Sequence, residues 1–384
     1  MNTTSFHITI IGAGIGGLCL AQGLQQAGIA CDIYEKDAAT NSRRQGYRLR
    51  LDQTGLAALA ACLPPQSYSR LKQCGAPPSP GVRMIDAQLC TLHDKGVDDW
   101  QEDQEPDLRI NRLSLREVLL TGIVEHVHFG KAFKRYTEKA DDKIVVHFSD
   151  GSSVVTDVLV GADGVHSAVM GQRIPGLRPK ESGAICLYGQ TSLDAATHRV
   201  AQALQSGTSV LFEPGLAVVI DAMTTQAVPA DILITPISDY LYWAMIGRRE
   251  RFPGMEQDLP GCIARITANW SPSLKHLFDL ADPAAITVAP IRHASPLQPW
   301  KTSPVTVLGD AIHAMSPASG LGANTALADA AALLQTLLDV ANGKSGLLPA
   351  IARYEEGLRL RGDAAVAASR RGSEQLFGGA QSTA

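Results

Sequence analysis

The chain has 384 residues, 45% of them hydrophobic, enough for a large core or for two domains sharing one interface. Its 34 basic and 38 acidic residues leave a formal net charge of −4, which removes the basic excess expected of a nucleic-acid binder. Seven scattered cysteines with no CxxC pair favour reduced thiols in a cytoplasmic protein over a disulfide framework or a zinc site, and no apolar run is long enough for a membrane span.

The first segment, HITII at 7–11, is β-branched and mostly apolar. With no basic flank before it, it reads as a buried parallel strand rather than a signal peptide. Residues 16–27 carry helical apolar spacing through Leu18, Ala21 and Leu24, and Gly28 ends that helix. CDIYE at 31–35 is the next strand, closing a βαβ unit. Residues 46–51 read as a strand, 54–63 as a helix stopped by Pro64-Pro65, and APPSPG at 76–81 as a crossing between regions. A helix is expected around 112–125. Residues 143–160 read as a hairpin turning at Asp150-Gly151 that runs into a buried strand at 157–160. From about 177 to 285, strand-like pieces (VLF at 210–212, LYWAMIG at 241–247) mix with loops and a helix near 257–269, the pattern of a separate β-rich domain. VTVLGD at 305–310 returns to the first domain as a strand. Helices follow at 322–340 and 347–372, and 378–384 reads as a frayed tail.

Two glycine-rich stretches carry chemistry. In Gly12-x-Gly14-x-x-Gly17, with Gly16 as an extra, the first glycine permits a tight turn, the second lets backbone approach a pyrophosphate, and the third lets helix pack on strand. The helix start offers free N–H groups to phosphate oxygens. Glu35 ends the second strand 18 residues after Gly17, where a carboxylate can take both ribose hydroxyls. The second stretch, GDAIHAMSPASGLGAN at 309–324, sets Asp310 at a strand end, then Pro317, then Gly320-Leu321-Gly322-Ala323-Asn324 opening a helix-like run. Its logic repeats that of the first: small residues and a helix start facing negative oxygens.

With Asp163-Gly164 in LVGADGVHS at 159–167, these motifs resemble those of the class A (single-component) flavoprotein monooxygenases, relatives of p-hydroxybenzoate and salicylate hydroxylases, over about residues 7–340. The resemblance implies an α/β fold: a Rossmann-like FAD-binding domain of the glutathione-reductase type with an inserted β-rich substrate domain and C-terminal helices. The corresponding division is 1–75, 102–176 and 286–340 for FAD, 76–101 and 177–285 for substrate, and 341–384 for the last helix and tail. It implies FAD held by Gly12, Gly14, Gly17, Glu35, Arg112, Asp163, Asp310, Gly322, Ala323 and Asn324, with Pro317 and Arg50 near the flavin ring. Arg112 opens Arg112-x-x-Leu115-x-x-x-Leu119, and Arg109 and Arg116 are alternatives to it. The segments around 110–112 and PLQPWK at 296–301 look most like the tetracycline-inactivating members. The chain departs from the family at Met170, where an arginine usually follows the Asp-Gly motif. Arg48 and Arg50 lie on the strand that runs past the flavin ring, placed either to orient an anionic or carbonyl-rich substrate or simply to face the flavin or solvent.

No HExxH, GxSxG or nucleophile triad is present, which suits a cofactor that does the hard chemistry. The resemblance implies that NADPH or NADH reduces FAD and that O2 then transfers one atom, through a flavin C4a-hydroperoxide, to an aromatic or polyketide-like small molecule. Hydroxylation, epoxidation and Baeyer–Villiger insertion stay open. Tyr188, Phe212, Met223, Trp243 and Met245 are candidate lining residues for the substrate, or else core; alternation puts Trp243 and Met245 on one face without saying which. The expected assembly is a monomer or homodimer, without metal, membrane or nucleic-acid partner. Rival readings are an FAD-dependent reductase or desaturase, separable by oxygen incorporation, and a non-catalytic FAD- or ligand-binding protein, separable by substrate-stimulated NAD(P)H oxidation. A flavin halogenase would carry WxWxIP, which is absent.

Overall fold

β1 (Ile8–Ile11) is buried along its whole length, as a strand flanked on both sides must be. The computed structural model that shows this describes residues 6–40, 42, 47–77, 81–96, 106–194, 197, 202, 204, 207–224 and 234–378. The chain turns at Gly12 into α1 (Ile15–Gln26) and returns as β2 (Cys31–Glu35). β3 (Leu49–Leu51) leads to α2 (Gln53–Cys62), whose N-cap Asp52 accepts from the Gly55 N–H. The proline pair stops α2 but does not leave a loop. Pro65 opens α3 (Pro65–Gln73) at its first position, where a missing N–H costs nothing.

β4 (Gly81–Ile85) and β5 (Thr91–Gly96) form a hairpin, and β6 (Leu108–Ile110) runs into α4 (Arg112–Leu120). There the Asn111 side chain accepts from the Leu113 N–H. After β7 (Val127–Phe129) come β8 (Phe133–Glu138), β9 (Ile144–Phe148), β10 (Ser153–Thr156), β11 (Val158–Gly161) and α5 (Ala168–Arg173). Then follow β12 (Lys180–Ser192), β13 (Thr208–Glu213), β14 (Leu216–Met223), β15 (Tyr240–Arg248), α6 (Leu259–Ile266) and α7 (Pro272–Asp279). The chain closes with β16 (Thr287–His293), β17 (Val305–Val307), α8 (Asp310–His313), α9 (Leu321–Ala341) and α10 (Leu347–Gly378).

Two sheets organise the molecule. A five-stranded sheet, ordered β17-β11-β1-β2-β7, is parallel throughout, and its strand ends carry the glycine turns. Helices α1 and α9 pack beside it through small residues; a Cβ on Gly16 would meet Leu308 Cδ1 at 2.7 Å. The second sheet has seven strands, β16-β12-β15-β14-β13-β4-β5, antiparallel except where β13 meets β4. One face buries Leu187, Leu211, Ile220, Trp243 and Met245 against Leu274, Leu277 and Phe278 of α7. β16 pairs with β12, so this sheet runs to His293, past the boundary at 285 expected from the sequence.

The longest strand, β12, gave no sequence signal. It contains Gly183 and Gly189 and a register shift between Glu181 and Ile185. Gly189 has a packing reason, since a Cβ there would lie 2.5 Å from the Trp243 ring. Among the described residues, no helix is long and apolar enough to cross a membrane.

Candidate cofactor and substrate site

The first glycine turn is built for contact with backbone. Gly12 has φ 108°, and a Cβ on it would sit 2.4 Å from the Ala162 carbonyl oxygen. A Cβ on Gly17 would sit 2.3 Å from the Gly12 carbonyl oxygen, so α1 lies directly on the turn. Gly14, by contrast, faces open space with nothing within 4 Å of a Cβ. Glu35 is buried at the end of β2, and its two oxygens accept from the Ala13 N–H at 2.8 Å and the Asp37 N–H at 2.9 Å. A carboxylate has further lone pairs, which leaves acceptor capacity toward the cavity it lines. Arg116 braces the same turn, donating from Nε to the Ala13 carbonyl at 2.9 Å and from Nη1 to the Thr40 carbonyl at 2.6 Å.

Two cavities meet here. One, of about 780 Å³, runs from Gly12 and Glu35 past Arg112, Asp163 and Gly164 to Asp310. The other, of about 620 Å³, runs from Gly14–Gly17 past Gly309, Pro317, Gly322 and Ala323 to the seven-stranded sheet. They share Gly14, Ile15, Arg112, Ala162, Gly164 and Asp310. Arg112 and Asp310 therefore stand where the cavities join, and among the described residues neither side chain has a hydrogen-bond or ion-pair partner. Asp310 follows Gly309, is exposed, and opens α8. Asp163 is used differently. It accepts from Ser167 Oγ at 2.5 Å and from the Ala168 and Val169 N–H groups at 2.7 and 3.2 Å, so its carboxylate caps α5 while Gly164 borders both cavities. Burial raises the Asp163 carboxyl above the usual aspartate range against those hydrogen bonds.

Of the alternatives to Arg112, Arg109 is buried and clamps the two regions together. It donates to Asp221, to the Ala222 carbonyl at 3.2 Å and to the Pro77 carbonyl. The other arginines of the strand do line the second cavity: Arg48 pairs with Asp221, and Arg50 pairs with Asp107. Met170 lies within α5, with its side chain buried in the core.

Asn324 is a correction. Its side chain accepts from the Asp52 N–H at 3.1 Å and donates to the Arg50 and Gly320 carbonyls at 3.0 Å each. It is a buried strut between α9 and the start of α2, with both amide hydrogens and one lone pair of Oδ1 committed to backbone groups of the protein. The substrate-wall residues are a second correction. Trp243 and Met245 do share a face, but that face is the helix-covered core; the Trp243 ring meets Phe278 edge-on at 5.2 Å. The cavity wall is the opposite phase of the same strands: Cys186, Val210, Val219, Tyr242, Ala244 and Ile246. Tyr188, Phe212 and Met223 belong to that phase yet lie outside the wall; Met223 packs on Ala76 and Tyr240. Alternation separated the faces, but only the position of α7 fixes which one looks inward.

A flavin dinucleotide fits these residues. Both α1 and α9 begin on a glycine, with no side-chain cap and no acidic residue in the first turn, so their N–H groups are left for an external acceptor. Gly14, Gly164 and Gly320 leave open space where any other residue would place a Cβ. Glu35 at one end and the free Asp310 at the junction supply acceptors for sugar or ribityl hydroxyls, and Arg112 supplies a cation for phosphate.

Comparison with known proteins agrees. Residues 124–369 match the family model described as FAD binding domain, and residues 10–61 match an NAD(P)-binding Rossmann-like domain. The dual O-methyltransferase/FAD-dependent monooxygenase CTB3 of Cercospora beticola is 31% identical over 97% of this chain and 46% of its own length, so the chain spans about half of that relative. The 3-amino-4-hydroxybenzoate 2-monooxygenase PtmB3 of Streptomyces platensis is 31% identical over 92% of this chain and 84% of its own. A solved structure from Photorhabdus luminescens subsp. laumondii TTO1, described as an FAD-containing monooxygenase, superposes with a TM-score of 0.86 at 31% identity, over 98% of this chain and all of that one. The tetracycline destructase Tet(55) shares the fold at a TM-score of 0.71 and 21% identity, over 97% of this chain and 91% of its own; that likeness carries the fold alone. The chain belongs to the FAD-binding domain family, the family of the class A flavoprotein monooxygenases.

Proposed function

We propose that this member of the FAD-binding family is an NAD(P)H- and O2-dependent monooxygenase that inserts one oxygen atom into an aromatic or polyketide-like small molecule. The observation that carries the reading is the junction. A cavity suited to a dinucleotide opens, at Arg112, Gly164 and Asp310, onto a second cavity walled by the seven-stranded sheet. Ligand sites favour such boundaries between structural units. The names of relatives across most of the chain support the same reaction type.

When bound, FAD supplies the redox chemistry, taking a hydride from the nicotinamide and activating dioxygen. The chain's residues bind, orient and enclose. Gly12–Gly17 and the start of α1 hold pyrophosphate, Glu35 holds the adenosine ribose, and Asp310 holds the ribityl side. Asp163 acts at one remove, fixing the Gly164 turn by capping α5. Pro317, Gly322 and Ala323 line the second cavity and would hold the flavin end of the cofactor, and the apolar wall of Val210, Val219, Ala244 and Ile246 would exclude water there. Met170 leaves the reductant without the arginine usual at that place, so NADPH and NADH are both to be tried.

The test is the visible spectrum of the purified protein, followed by NADPH and NADH oxidation in air with a panel of phenols, polyketides and tetracyclines under isotopic O2. Flavin absorbance, ligand-stimulated oxidation and a product heavier by one labelled oxygen are expected. Stimulated oxidation with no label in the product would sink the monooxygenase reading in favour of a reductase or desaturase.

A further inference from the structure

Behind the wall of the sheet-side cavity, one carboxylate stands between two guanidiniums that line it. Asp221 of β14 is fully buried. Arg109 donates to its Oδ1 from β6. From the residue before β3, Arg48 brings Nε to 2.5 Å from its Oδ2. Arg48 also donates from Nη2 to Thr208 Oγ1 at 3.5 Å, and its guanidinium lies 5.9 Å from the centre of the Tyr242 ring. Thr208, Asp221 and Tyr242 all belong to the seven-stranded sheet, so the Arg48 charge is anchored to the substrate-side wall rather than to the glycine turns.

Among the described residues this cluster holds one negative charge against two positive ones. The neighbouring tyrosines do not restore the balance, because burial pushes the Tyr240 and Tyr242 hydroxyls far up and keeps both neutral. Arg48 is only 13% exposed along its side chain, so water solvates the excess charge poorly. Arg50, two residues on, is the contrast. Its side chain is 52% exposed and Asp107 neutralises it. Both arginines border the cavity, but Arg50 has a carboxylate to itself while Arg48 shares Asp221 with Arg109.

We propose that Arg48 is a specificity determinant: the compound oxidised in this cavity carries an oxyanion, a carboxylate or an ionised phenol or enol, that seats against Arg48 and completes the Arg48–Asp221–Arg109 cluster. The inference rests on the monooxygenase reading of the cavity and names the charge of its substrate. The Arg48 guanidinium also lies within cation–π range of Tyr242, and its planar fork of donors suits a flat, delocalised anion.

Benzoate and benzamide, equal in shape and different in charge, test it on the FAD-loaded protein, with perturbation of the flavin absorption spectrum as the readout. Benzoate is expected to bind at least about tenfold more tightly than benzamide, as a charge-assisted contact would give. In Arg48→Met that preference should vanish with flavin content unchanged, and in Arg48→Lys part of it should survive. Equal affinity for the two probes, or no perturbation by benzoate in the wild-type protein, overturns the inference. So does a benzoate preference that persists in Arg48→Met, or loss of FAD from that variant, which would assign the charge to the cofactor. The experiment uses neither NAD(P)H nor O2. A surviving anion preference without oxygen transfer would sink the monooxygenase reading alone, and oxygen transfer without anion preference would sink this one.

Discussion

At the start of α1, added Cβ atoms on Gly12 and Gly17 would come within 2.4 and 2.3 Å of backbone oxygens; at the start of α9, Gly320 has nothing within 4 Å and Gly322 meets only ordinary contacts at 3.7 and 3.9 Å. The two helix starts share a chemistry, uncapped N–H groups facing a cavity, but not a tolerance. At α1, Gly12 and Gly17 let the protein pack on itself, and only Gly14 faces open space. At α9 they leave room for something that is not protein. Glycines alike in sequence therefore report different constraints, one on the fold and one on the ligand.

The largest expected effect breaks the first start. Gly17→Ala forces α1 away from the Gly12 turn and should cost about 1–3 kcal/mol, the range for overpacking against atoms that cannot yield, with flavin lost as well. Thermal denaturation and the ratio of flavin to protein absorbance check this; a melting temperature equal to wild type would mean the turn is looser than the contact implies. Asn324→Ala comes next. It removes two hydrogen bonds that tie α9 to the Arg50–Asp52 segment and a third to the Gly320 carbonyl, and leaves the Asp52 N–H without its acceptor. Urea unfolding should show a loss of about 1–3 kcal/mol. A loss of FAD affinity with unchanged stability would instead return Asn324 to the cofactor.

Asp310→Ala sharpens the comparison from the ligand side. Its carboxylate has no partner among the described residues, so apo stability should hold while the FAD dissociation constant rises about tenfold, the worth of one hydrogen bond to a charged group. Full flavin retention would sink its assignment. Gly322→Ala is the counterpart of Gly17→Ala and should move the other way. A helical alanine replaces glycine without a clash, so the apoprotein should gain about 0.5–1 kcal/mol, while FAD binds more weakly. Destabilisation there would erase the distinction between the two starts.

The smallest effect concerns pH. His313 is fully buried beside this second start, with Nε2 2.6 Å from Asp329 Oδ2; Asp329 also accepts from the Gly309 N–H at 3.1 Å and from Arg361 Nε at 3.0 Å. Burial pulls the His313 pKa down, but hydrogen bonding and charge from Asp329 outweigh it and carry it above the ordinary 6.5. The stability this contributes is complete below pH 6.5 and is lost as pH rises through the folded-state value. Unfolding free energy should therefore fall on going alkaline from neutrality, and His313→Gln should flatten that slope. An unaltered slope in the variant would show that another group titrates.

Much of the cofactor side was legible in the residues. β2 spans the expected 31–35, β1 and α1 lie within a residue of expectation, and Gly12, Glu35, Arg112, Asp163 and Asp310 all come to one cavity. That legibility has a local cause. A strand, a glycine turn and a helix start are made by neighbours in sequence, and the peptide groups that meet the ligand come with them. Asn324 was misjudged because a helix-start asparagine looks the same whether its amide turns to a ligand or to the Arg50 carbonyl, 274 residues earlier.

The amino-acid sequence by itself determined the βαβ start, the second glycine stretch and the acids at their strand ends, because each is a short-range pattern with its own backbone geometry; these imply a dinucleotide site, and the family resemblance makes that dinucleotide FAD. Tertiary structure alone decided which phase of the seven-stranded sheet faces the cavity. Period two labels two faces without ranking them, and Trp243 and Tyr242 were equally eligible until α7 covered one side. It also decided that Arg48 shares its carboxylate with Arg109 while Arg50 has one to itself. Their partners, Asp221 and Asp107, lie far along the chain: Asp107 arrives when β6 pairs with β3, and Asp221 arrives on β14 of the seven-stranded sheet.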